Sequence, residues 1–215
     1  MPAPQPLRLI VWPSLVTGLV NFARLFAERQ GWATVQTGGA FSPLGITWLA
    51  FVFGAWFGWR NSQGGAGPRS PRAWSWSLLA LLAVVGMVMW RFGGIDRTDT
   101  SASAFEALRS SVLLIAATAS AAALLLFLVW PRQAWTLLLY AIPARATVVL
   151  ITWFVKRQGW DTHYVKFGPA GIEVDLHDTM VSASLAQFGF WVPFTVIAGT
   201  LAGSVLAGRA RAAAQ

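Results

Sequence analysis

Six apolar stretches, each close to twenty residues long, limit this chain more than any other feature. They cover roughly 8–28, 43–60, 73–92, 109–131, 134–155 and 183–207. A bilayer core takes about 20 apolar residues of helix to cross. Only 11% of the 215 residues are charged, against about 25% in a soluble domain. A surface that poor in charge is stable in lipid, not in water. The expected fold is an all-α integral membrane protein with six transmembrane helices in one domain over 1–215. The chain begins with one cation and no small-residue cleavage pattern, so the first stretch reads as a retained span.

Tryptophan supports the assignment. Thirteen are present, and Trp12, Trp59, Trp74, Trp76, Trp90, Trp130, Trp135 and Trp153 fall near span ends, as in an interfacial belt. Cysteine is absent, which excludes disulfides and thiolate chemistry. The net charge of +8 does not point to nucleic acid here, because charge placement follows the spans. All eight acids fall in loops after spans one, three and five. The other side holds Arg8, Arg60, Arg69, Arg72, Arg132, Arg209 and Arg211 and no acid. That basic side reads as cytoplasmic, with both termini inside the bacterial cytoplasmic (inner) membrane. The counter-argument is that the orientation rule counts Lys and Arg alone, and those divide almost evenly.

The tetrapeptide Arg-Gln-Gly-Trp occurs twice, at Arg29–Trp32 and Arg157–Trp160, each time after an apolar helix. Thr34 then aligns with Thr162, Phe26 with Phe154 and Val20 with Val148. The following spans carry Gly54 and Gly58, and Gly199 and Gly203, which are GxxxG pairs that allow close helix approach in lipid. Together these predict a parallel internal repeat, spans one and two resembling spans five and six. Within it, Arg29, Trp32, Arg157 and Trp160 act as interface anchors, and the glycine ends the helix.

The second copy has a longer extracytoplasmic loop, 156–182. Its alternating pattern around Gly168–Gly171 predicts a small β-hairpin that pairs Phe167 with Ile172 and Lys166 with Glu173. In that register His163 and His177 face opposite ways, so they share no metal, and no metal or other cofactor is expected. His163 would pack on the apolar face and bond a backbone carbonyl. The competing reading makes 172–182 an amphipathic helix leading into span six.

Arg145 is the charge deep inside a span. A buried arginine in lipid usually faces a partner or a wet cavity, and no acid lies at its depth. Candidate partners are Asn21, Tyr140, Gln187, Thr17 and Thr195. Pro143 and Pro193 remove helix hydrogen bonds nearby. A lipid or anion site at Arg145 is one reading; satisfaction by carbonyls freed near the proline is the other.

The stretches "ARATVVLITWFVKRQGWDTHY" and "FWVPFTVIAGTLAGSVLAG" resemble a family of small bacterial multi-pass membrane proteins with a Trp-x-Thr-His-Tyr loop. The matching residues are Ala144, Arg145, Trp160, Thr162, His163, Tyr164, Phe190, Trp191, Phe194 and Thr195. Where that family has Ile-Pro after the arginine, this chain has Ala146-Thr147. The resemblance implies the architecture and no activity. No HExxH, GxSxG or Walker loop is present. The leading functional expectation is therefore a non-catalytic accessory or scaffold subunit, with the bilayer, other membrane subunits or a second copy as partner. The alternative is a small transporter or channel with its site near Arg145.

Overall fold

A computed structural model describes residues 6–35, 42–94, 101–167 and 174–212, and the described residues are helical, with no strand. The helices are α1 (Pro6–Arg29), α2 (Thr47–Gln63), α3 (Ala73–Gly93), α4 (Ala102–Val129), α5 (Pro131–Arg157), α6 (Leu176–Ser184) and α7 (Val192–Ala212). A π-helical segment, Leu185–Trp191, joins α6 to α7. Five helical stretches are long and apolar enough to cross a membrane: α1, α3, the 106–129 part of α4, α5, and the run Leu176–Ala207. The fold is thus that of a helical, membrane-type protein. α2 has 17 residues, about 26 Å at 1.5 Å per residue, slightly less than the hydrocarbon core.

The helices surround α7, which packs against α2, α3, α4 and α5, while α1 lies on α5 and α3 on α4. The core holds Phe57, Val84, Leu126, Leu137, Val196 and Ile197, all nearly inaccessible. α2 and α7 approach most closely, because glycine faces glycine. A Cβ added at Gly54 would lie 2.6 Å from the Gly199 carbonyl oxygen, and one at Gly58 would lie 2.8 Å from that of Gly203. Gln133 of α5, fully buried, joins the two helices there. Its Nε2 donates to the Gly54 carbonyl at 2.8 Å and the Gly199 carbonyl at 3.3 Å, and its Oε1 accepts from Asn61 at 2.9 Å.

Both Arg-Gln-Gly-Trp segments close their helices in the same way. Gly31 has φ +72° and Gly159 φ +65°, the left-handed region that glycine enters without a Cβ clash. The Trp32 N–H bonds the Ala27 carbonyl at 2.8 Å and the Gly31 N–H that of Glu28 at 3.1 Å; the Trp160 N–H bonds Val155 at 3.0 Å and the Gly159 N–H Lys156 at 3.2 Å. These are the paired bonds of a Schellman stop. In each, the tryptophan packs edge-on against the phenylalanine of the preceding turn, Phe26–Trp32 at 5.6 Å and Phe154–Trp160 at 5.3 Å.

The loop after α5 differs from the hairpin in its described parts. The outer parts of the expected hairpin arms have other structure: His163–Val165 is one 3₁₀ turn, and Leu176–Ser184 is helical. Asp175 starts that helix, its carboxylate accepting the Asp178 N–H at 2.7 Å, which is the side-chain cap that favours helix over strand. The amphipathic-helix reading matches α6. The expected turn at 168–171, Ile172 and Glu173 lie outside the described residues, and Lys166 pairs with Asp161 at 3.2 Å. Trp130 lies at a span end, as expected, and is fully buried within the protein. It is the single residue between α4 and α5, and its indole N–H donates to the Ala66 carbonyl at 2.7 Å.

Candidate functional site

Arg145 sits near the middle of α5 and is 4% exposed. α5 passes beside the π-helical segment, and the wider turn there has a local cause. Pro193 has no N–H to offer the Gly189 carbonyl four residues back. The helix just before it runs in π register, with the Val192 N–H bonded to the Gln187 carbonyl five residues back. Ser120 of α4 reaches the Gly189 carbonyl at 3.5 Å. Such π segments are rare and recur at functional sites. Here the segment carries two side chains that meet the arginine. Gln187 Oε1 lies 3.5 Å from Arg145 Nη1, and the guanidinium lies over the Trp191 ring, 4.8 Å from its centroid.

That is weak satisfaction for a guanidinium. It has five N–H donors, and a 3.5 Å contact is at the outer limit of a hydrogen bond. Among the described residues no carboxylate lies within ion-pair distance, and no hydrogen bond from Arg145 to a backbone carbonyl occurs. Of the expected partners, Gln187 alone bonds the arginine. Tyr140 Oη shares a 2.7 Å bond with Thr17 Oγ1, which also donates to the Pro13 carbonyl at 2.8 Å. The Asn21 carbonyl accepts from Tyr164 Oη at 3.1 Å, and its amide nitrogen has no partner among the described residues. Thr195 donates to the Trp191 carbonyl at 2.8 Å, fixing the turn that presents Trp191.

A second polar cluster lies where α1 and α5 stop. Arg24 and Glu28, one helical turn apart, form a buried ion pair, and the Glu28 carboxylate also bonds His163 Nδ1. The His163 backbone N–H donates to Glu28 Oε2 at 3.0 Å. Arg24 extends to Ser42 Oγ and the Thr34 carbonyl, each at 2.8 Å. Burial pushes the neighbouring Tyr164 phenol well above its ordinary range, and the Glu28 carboxylate adds to the shift. Sequence reasoning placed Glu28 in a loop and gave His163 a carbonyl partner; the structure gives it a carboxylate. The available signal was the i,i+4 spacing of Arg24 and Glu28. His177 is exposed on α6. Among the described residues no group of three His, Asp or Glu could hold a metal.

The anchor residues divide. Arg29 stacks over Trp160 at 4.3 Å, linking α1 to the second Arg-Gln-Gly-Trp segment, whereas Arg157 stacks over Trp153 at 5.3 Å on its own helix. Comparisons with protein-family models, with curated proteins and with solved structures find no match.

Proposed function

We propose that this chain is a six-span bacterial inner-membrane protein, built from two parallel copies of a two-helix unit, that binds an anionic ligand at Arg145 as part of a transport function. The observation that carries the reading is the state of Arg145: buried, in mid-helix, and held by one long hydrogen bond and a tryptophan face. A guanidinium at the bilayer centre costs at least about 2.5 kcal/mol. A carboxylate or phosphate supplies the charge and the fork-shaped acceptor set that the site lacks. Arg145 and Trp191 are both among the residues that carry the family resemblance.

The helix pairing supports the repeat. α1 lies on α5, and α2 lies on α7, so each helix touches its own counterpart, as in an isologous pair. Parallel repeats with proline-broken helices are a transporter arrangement. The accessory-subunit reading draws on paired GxxxG faces, an Ala-rich fourth span, short loops and absent catalytic motifs. Gly54, Gly58, Gly199 and Gly203 face one another within the chain, so they no longer argue for an outside partner.

The test is native mass spectrometry of protein extracted in gentle detergent, wild type against Arg145→Leu and Arg145→Lys. The reading expects an anionic small molecule or lipid bound to wild type and absent from the leucine variant, with both folded. Identical adducts on all three proteins would refute it.

A further inference from the structure

A groove of about 740 Å³ runs between α1 and α5, lined by exposed apolar side chains such as Phe22, Phe26 and Leu150. Its α1 wall is Phe22, Leu25 and Phe26, and its α5 wall includes Leu150 and Phe154. Arg29, at the C-terminal end of α1, supplies its one charge. We propose that this groove holds one acyl chain of an anionic phospholipid, with the phosphate on Arg29.

Three observations choose the occupant. Charge complementarity is the first. Glu28, the neighbouring carboxylate, is turned inward to Arg24 and His163 with its side chain fully buried, so it does not neutralise Arg29 at the groove mouth. Among the described residues Arg29 has no carboxylate partner, and its guanidinium stacks over the Trp160 ring at 4.3 Å. Depth is the second. Arg29 and Trp160 are helix-end residues, where arginine and tryptophan meet phosphates and carbonyls in the interface. Shape is the third. Large side chains form the walls, whereas a second transmembrane helix, about 10–12 Å across, docks on small-residue ridges. A slender chain fits between such walls, and the volume lies in the range that holds a single small ligand, about 300–1,000 Å³.

The site is separate from Arg145, and the test keeps the two apart. The full chain is reconstituted in vesicles of phosphatidylethanolamine and phosphatidylglycerol, with a trace of either lipid bearing a photoreactive acyl chain. Cross-links are mapped by peptide mass spectrometry. The phosphatidylglycerol tracer should label 22–26 and 150–154 several-fold above the exposed α3 residues Leu79 and Leu82. Arg29→Gln should lower that labelling about fivefold, the factor one cation contributes near an anionic surface, and Arg29→Lys should retain most of it. Leu150→Trp, which fills the groove and leaves Arg29 in place, should lower it too. Arg145→Leu should leave it unchanged. Equal labelling of α3 and the groove, equal labelling by both tracers, or no response to Arg29→Gln would each overturn the proposal.

Discussion

Replacing Gly54 with alanine adds one methyl group where the structure has no room. The new Cβ would lie 2.6 Å from the Gly199 carbonyl oxygen, among backbone atoms that cannot rotate away. α2 and α7 must then separate. Overpacking of this kind costs about 1–3 kcal/mol. Separation also draws the Gly54 and Gly199 carbonyls away from Gln133 Nε2, which holds them at 2.8 and 3.3 Å. A buried amide left without an acceptor adds roughly 1–3 kcal/mol. The sum, about 2–6 kcal/mol, is a large share of a typical net stability of about 5–15 kcal/mol. The assay is reversible denaturant unfolding in mixed micelles, with Gly86→Ala as control. Gly86 is also helical but has open space at its Cβ position, so its alanine variant should be neutral or slightly stabilised by helix propensity. If Gly54→Ala unfolds at the same denaturant concentration as Gly86→Ala, the close crossing of α2 and α7 is wrong.

Glu28→Gln keeps the shape but removes the charge facing Arg24 and His163; about 3–5 kcal/mol of stability should be lost, as when one partner of a buried pair is removed, and unchanged thermal unfolding would show that the cluster is not formed. Gly31→Ala and Gly159→Ala each place a Cβ in the left-handed region, so each should lose about 1–2 kcal/mol, read by the same unfolding assay; a neutral result at either position would remove that helix stop. Tyr164 should govern part of the alkaline limit. Its folded pKa is raised by burial, so its contribution is complete below about pH 10, the unfolded value, and is lost as pH rises beyond it. Tyr164→Phe should flatten the fall of melting temperature above that pH, and a slope identical to wild type would contradict the assignment.

Much of this architecture is legible in the chain because lipid imposes local rules. An apolar run of twenty residues, a glycine after a basic helix end, and glycines four apart each have one cheap structural solution, and those solutions are present in α1, α5, α2 and α7. What escaped depends on residues far apart in sequence. Glu28 is drawn out of a solvated role by His163, which lies 135 positions away. The burial of Trp130 depends on the Ala66 carbonyl, 64 positions away, which accepts its N–H. Alternation over 174–178 had a nearer rival, since the Asp175 cap favours helix from Leu176 onward. At Arg145 the sequence named the charge, the prolines and Gln187. It did not reveal the π register at 185–191 that turns Gln187 and Trp191 toward the guanidinium.

The central claim is that Arg145 holds a ligand. It is tested most directly by a high-resolution cryo-electron microscopy structure of the protein in nanodiscs made from its native membrane lipids. The account predicts non-protein density within hydrogen-bonding distance of the guanidinium, on the side not occupied by Trp191, of a shape that fits a carboxylate or phosphate. A guanidinium surrounded by protein atoms and water alone would contradict it.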